Sequence, residues 1–104
     1  MPLIEVARLD DLAVGTSTEA SVGTAIFVVC NHEGAIHVLD GICPHRNGPL
    51  GAGNFADGRV ICPHHGWEFD CVTGEYDFDP RVKLRKYLAR IEDGSVWIEI
   101  ESLA

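Results

Sequence analysis

The chain carries two short loops that limit what it can fold into: Cys43-Pro44-His45 and, after sixteen intervening residues, Cys62-Pro63-His64-His65-Gly66. As ligands they read C-x-H and C-x-x-H. Two thiolates and two imidazoles set in pairs must be brought together by the fold, so the pattern predicts a metal site at which two loops converge. Pro44 and Pro63 stiffen each loop directly after its Cys, because proline fixes φ and donates no N–H. Gly48 and Gly66 allow close backbone approach, and Leu50 and Trp67 are placed to keep water away.

Two kinds of centre fit such a donor set. Tetrahedral zinc accepts two Cys and two His, but zinc modules space paired ligands as C-x2-4-C and H-x3-5-H. Here each loop mixes one Cys with one His, and the first pair is a single residue apart. That arrangement suits a binuclear cluster better, each loop giving sulfur to one iron and nitrogen to the other, as in a Rieske [2Fe–2S] centre.

The stretches Cys43-Pro44-His45-Arg46-Asn47-Gly48-Pro49-Leu50 and Cys62-Pro63-His64-His65-Gly66-Trp67-Glu68-Phe69-Asp70 resemble the Rieske family. Within it the chain is similar to the small Rieske-type ferredoxins of multicomponent aromatic-ring dioxygenases, and Thr73-Gly74-Glu75 and the last hairpin extend the likeness over nearly the whole chain. The resemblance implies one [2Fe–2S] cluster per chain, with Cys43 and Cys62 on the buried iron and His45 and His65 on the outer one. His64 falls outside the C-x-x-H spacing and reads as a surface residue. The Gly-Pro-Ala-Pro-like loop common in the family has no evident counterpart; Asp77-Phe78-Asp79-Pro80 stands in that region. High-potential members carry two extra cysteines and a Ser and a Tyr near the cluster. The matching positions here are Gly48, His64, Trp67 and Phe69, none of which supplies a disulfide or a hydroxyl.

At 104 residues, the chain suits one domain. The resemblance divides it into a base of residues 1–40 and 81–104 and an inserted cluster-binding subdomain of about residues 41–80. The expected fold is all-β: an antiparallel sandwich or small barrel with the inserted part as a cap. Strands are predicted over 3–7, 19–22, 24–31, 35–40, 59–61, 68–70, 86–92 and 95–101, with residues 51–58 as loop. Asp93-Gly94 is a strong hairpin signal, and His32-Glu33-Gly34 reads as a turn. His32 and His37, without ligand partners at metal spacing, read as surface residues. Cys30 reads as a buried free thiol, and a Cys30–Cys71 disulfide is disfavoured in a reducing cytosol.

The formal charge is −8, from 16 acids against 8 bases. That argues against nucleic acid or an anionic membrane as partner and suits a basic patch on a redox protein. Asp57, Glu68, Asp70, Glu75, Asp77 and Asp79 fall in the cluster region, whereas Arg81, Lys83, Arg85, Lys86 and Arg90 follow it. No stretch approaches the roughly 20 apolar residues of a membrane span and no signal peptide is seen, so a cytoplasmic monomer is expected. There is no second His-His-carboxylate set and no Gly-rich nucleotide motif. The chain therefore reads as a one-electron carrier, not an enzyme on its own, taking electrons from a flavin-dependent reductase to a terminal ring-hydroxylating dioxygenase. The alternatives are a small subunit of a nitrite reductase-like enzyme and a zinc-binding structural module.

Overall fold

Strand β3 (Ala25–His32) explains the architecture, because both of its faces are buried. Phe27 and Val29 belong to one apolar core, while Val28 and Cys30 belong to another. Side chains alternate across a strand, so the unbroken run Ala25-Ile26-Phe27-Val28-Val29-Cys30 is that of a strand packed on both sides. Strand β4 (Ala35–Asp40) does the same with Val38 on one core and Leu39 on the other. The computed structural model describes residues 3–44, 48–64 and 66–99.

The remaining elements complete an all-β fold of three antiparallel sheets. Strand β1 (Leu3–Arg8) leads through a short 3-10 turn to β2 (Ser17–Val22), which pairs with β3. Beyond β4 come β5 (Asn54–Ala56), β6 (Arg59–Ile61), β7 (Glu68–Asp70), β8 (Glu75–Tyr76) and β9 (Asp79–Lys83), which form one five-stranded sheet in chain order. The chain closes with β10 (Lys86–Tyr87), β11 (Ala89–Glu92) and β12 (Ser95–Glu99). The sheet β10-β4-β3-β2 lies between the three-stranded sheet β1-β12-β11 and the five-stranded one.

Among the described residues, three two-residue hairpin turns, Glu33-Gly34, Asp57-Gly58 and Asp93-Gly94, have positive φ at both positions. Such turns match the right-handed twist of the flanking strands and favour X-Gly pairs. The middle one corrects the expectation of a loop over 51–58: Asp57-Gly58 closes the β5–β6 hairpin, with Phe55 opposite Val60. A second correction concerns residues 86–92, which do not form one strand. Lys86 and Tyr87 pair with β4, Ala89 to Glu92 pair with β12, and exposed Leu88 marks the crossing between sheets. In β12, Val96 and Ile98 are buried as the alternation predicts; Ser95 is buried as well, taking a hydrogen bond from Arg8. The expected extension of this strand to 101 lies outside the described residues.

The two histidines expected at the surface, His32 on β3 and His37 on β4, sit half-buried. His32 packs edge-on against Phe55, its ring close to Gly58. His37 Nδ1 lies 3.1 Å from Lys86 Nζ, which also donates to the Val72 carbonyl. Burial and the neighbouring ammonium hold the His37 pKa below its ordinary value.

Tyr87 fastens β10 beside the first ligand loop. Its hydroxyl donates to Asp40 Oδ1 at 2.6 Å, and its ring meets Phe27 edge-to-face. Partial burial, with the Asp40 carboxylate beside it, pushes the phenol pKa up to about 12. The folded chain thus keeps this proton longer than the unfolded chain, whose tyrosines titrate near 10. The contribution is intact below about pH 10 and is lost as pH rises through about 12. Tyr87→Phe is expected to lower stability by about 1 kcal/mol at neutral pH, the usual net value of such a bond at a half-exposed position. The gap between urea midpoints of the two proteins should close above pH 10; a gap that widens there would contradict this account.

Candidate metal centre

The first ligand loop leaves the end of β4 and the second leaves the end of β6. Each is closed by the same backbone contact: the Cys43 N–H donates to the Gly48 carbonyl and the Cys62 N–H to the Trp67 carbonyl, both at 2.8 Å. In both loops the Cys thus begins a turn tied off five residues later. An isolated bridge between Ile42 and Pro49 and a bond from Leu50 N–H to the Gly41 carbonyl seal the base of the first loop.

Cys43 and Cys62 are buried and share one apolar core with Leu50, Val60 and Phe69. Gly48 brings the loops together: a Cβ built on it would lie 2.7 Å from Cys62 Sγ and 3.3 Å from the His64 ring. Gly48 is needed for space alone, since its φ is not positive. Gly66 is the reverse case. Its φ is +71° and a Cβ there would meet nothing among the described residues, so backbone conformation and not close approach selects glycine.

Of the four residues assigned as ligands, Cys43 and Cys62 are thus brought together, while His45 and His65 lie outside the described residues. Pro44, Pro63 and His64 are exposed, so each loop carries a buried sulfur within two residues of solvent. Two thiols in an apolar core, approached by a second loop across a glycine, fit a sulfur-bound metal group with one side toward water.

The expected shielding by Leu50 and Trp67 has a structural basis. Leu50 is fully buried beside the two cysteines, and the Trp67 ring lies flat on Tyr76, centroids 3.9 Å apart and planes 6° apart. Tyr76 in turn meets Phe78 edge-on at 5.7 Å. This aromatic row escaped the sequence reading, although Glu75-Tyr76-Asp77-Phe78-Asp79 shows the alternation of a strand. Arg59 ties the row down by pairing with Asp70 and Asp77.

Cys30 and Cys71 are buried free thiols in the same core. Burial, with Cys71 nearby, pushes Cys30 up to about 12, and Cys71 is raised too, so neither ionises readily. Both are packing residues.

Gly48→Ala is expected to hinder metal incorporation. Its Cβ would have to move from 2.7 Å to an ordinary contact with Cys62 Sγ, a displacement of about 1 Å. Iron per chain should fall by about tenfold or more, in the range of losses caused by disturbing ligand support. Normal iron content in this variant would show that the loops tolerate separation.

The chain belongs to the Rieske [2Fe–2S] domain family, whose model matches residues 3–88. A Rieske domain holds a single [2Fe–2S] cluster, and the donor chemistry of the site fits it. The chain is 35% identical to the ferredoxin component of the alkene monooxygenase system of Xanthobacter autotrophicus (strain ATCC BAA-1158 / Py2), over 96% of its own length and 83% of that protein. Several other relatives are longer proteins, of which it spans 20% or less. Among solved structures it is similar to a ferredoxin of Sphingomonas yanoikuyae B1, with a TM-score of 0.86, 27% identity and coverage of 95% of this chain and 99% of that one. It also shares the fold seen in a complex of reduced oxygenase and oxidised ferredoxin in carbazole 1,9a-dioxygenase, with a TM-score of 0.81 at 24% identity, covering 92% of this chain and 91% of that one. The chain is a Rieske ferredoxin similar to the ferredoxin component of an oxygenase system.

Proposed function

We propose that Cys43 and Cys62 hold the inner iron and His45 and His65 the outer iron of the cluster, and that the chain carries single electrons from a flavin-dependent reductase to a terminal ring-hydroxylating dioxygenase. The observation that carries the reading is the convergence of the two loops across Gly48, with both sulfurs buried and Pro44, Pro63 and His64 exposed. When bound, a Rieske cluster takes up and releases one electron at a time. The chain's own part is to exclude water from the sulfur side with Leu50, Phe69 and the Trp67–Tyr76 stack. The base of residues 1–40 and 81–104 presents the subdomain of about 41–80 as a cap. Among the described residues no helix is long and apolar enough to cross a membrane; a cytoplasmic monomer is part of this reading.

A second reading follows from the relative that serves an alkene monooxygenase: the acceptor is a monooxygenase and the rest of the scheme is unchanged. Reconstitution tests both. The iron-loaded chain, mixed with a flavoprotein reductase, NADH and each candidate oxygenase of its source organism, should restore substrate-dependent oxygen uptake that is absent without it. A colourless, EPR-silent protein would point to zinc. A coloured one that supports nitrite reduction and no oxygenase would favour the reductase subunit.

A further inference from the structure

Phe78 is 86% exposed, the most exposed large apolar residue described. Single exposed apolar residues are common and need no explanation; the setting of this one is what gives it meaning. It lies in the turn between β8 and β9. Because β6, β7 and β8 are antiparallel neighbours, with Ile61 opposite Glu68 and Phe69 opposite Tyr76, that turn falls at the end of the sheet from which the second ligand loop emerges. The Asp77 N–H donates to the Glu68 carbonyl, fixing the turn beside the residue that follows Trp67.

The ring is also held in place before any partner arrives. Tyr76 braces it edge-on and is itself stacked on Trp67. On either side Asp77 is paired with Arg59, and Asp79 accepts from both the backbone and the guanidinium of Arg81. Fixing an aromatic side chain in advance reduces the entropy lost on docking. Around it, Glu68, Asp77 and Asp79 stand against Arg59 and Arg81, on a chain with 16 acids and 8 bases.

We propose that Phe78 is the apolar anchor through which the reduced carrier docks on its terminal oxygenase, the ring entering an apolar pocket with a basic rim. The proposal rests on the carrier reading above. The oxygenase is the favoured occupant because the chain meets its electron acceptor in the reduced state, when a chain already at −8 bears one further negative charge. Aromatic side chains at the centre of an interface commonly contribute most of its affinity.

The test is a single turnover. Iron-loaded protein is reduced with dithionite, freed of excess reductant, and mixed with increasing concentrations of the oxygenase that the reconstitution identifies, while cluster oxidation is followed by absorbance. Phe78→Ala should raise the half-saturating oxygenase concentration about thirtyfold. The limiting rate, the visible spectrum and the potential should stay within about twofold or unchanged. Leu88→Ala, which truncates another exposed apolar residue at 69% exposure on the base, should behave as wild type. Equal saturation by wild type and Phe78→Ala overturns the proposal. So does a loss confined to the reductase step, or a wild-type dimer in sedimentation that Phe78→Ala dissolves. Failure of the carrier reading looks different: the reduced wild-type cluster would then not be oxidised by the oxygenase at all.

Discussion

His65→Ala is expected to yield a chain with almost no Rieske cluster, whereas His64→Ala, one residue earlier, should keep it. The same loss is expected for Cys43, Cys62 and His45. The thiols of Cys43 and Cys62 lie in an apolar core with Leu50, Val60 and Phe69, and in such loops metal binding contributes folding free energy directly. Removing one ligand therefore weakens both the cluster and the packing around it. His64 is exposed, with its ring against Gly48, so its loss uncovers a loop without removing a donor. Iron content, visible absorbance and the low-temperature EPR of the reduced proteins check this directly. Iron below about a tenth of wild type is expected for each ligand variant. If His64→Ala loses the cluster and His65→Ala retains it, the ligand assignment is wrong.

The second large effect is on reduction potential. Phe69→Tyr should raise it by about 65–130 mV, from a wild-type value toward the low end of the Rieske range of roughly −150 to +300 mV. Reduction adds one negative charge to the cluster, and each O–H donor to a sulfur stabilises it. A hydrogen bond to a charged group is worth about 1.5–3 kcal/mol, and 1.4 kcal/mol corresponds to about 59 mV for one electron. Gly48, His64, Trp67 and Phe69 provide no such hydroxyl at the positions where high-potential relatives have a disulfide or a donor. Phe69 is fully buried in the core that holds both cysteines, with the Tyr76 ring 5.6 Å away. A tyrosine there differs only by its oxygen, and that oxygen must find an acceptor. If it reaches sulfur, the potential rises. If it does not, the potential stays put and stability falls by about 1–3 kcal/mol for an unpaired buried hydroxyl. Protein-film voltammetry separates the two outcomes. A wild-type potential near about +300 mV would sink the low-potential reading and, with it, the preference for an oxygenase ferredoxin.

The sequence alone was sufficient for whatever depends on local chemistry. The mixed Cys-His loops specify a two-iron centre because ligand type and spacing are properties of short segments. The strand at 35–40, those at 59–61 and 68–70, and the Asp93-Gly94 turn were legible for the same reason: alternation, β-branching and a turn residue with positive φ act within a few residues. Asp57-Gly58 carried the same signal as Asp93-Gly94, yet its strands are so short that the glycine-rich surroundings hid it. Other features depend on which surfaces meet. That Ala25 to Cys30 serves two cores, one on each face, follows only once a sheet covers either side. The break at Leu88 exists because β4 and β12 recruit neighbouring residues into different sheets, and no propensity within residues 86–92 encodes that competition. The pairing of Gly48 with Cys62 and the row from Trp67 through Tyr76 to Phe78 likewise join segments far apart in the chain. The Cys-His loop pattern is local and therefore readable, whereas the shape of the surface around it is a product of long-range packing, which only the folded chain decides.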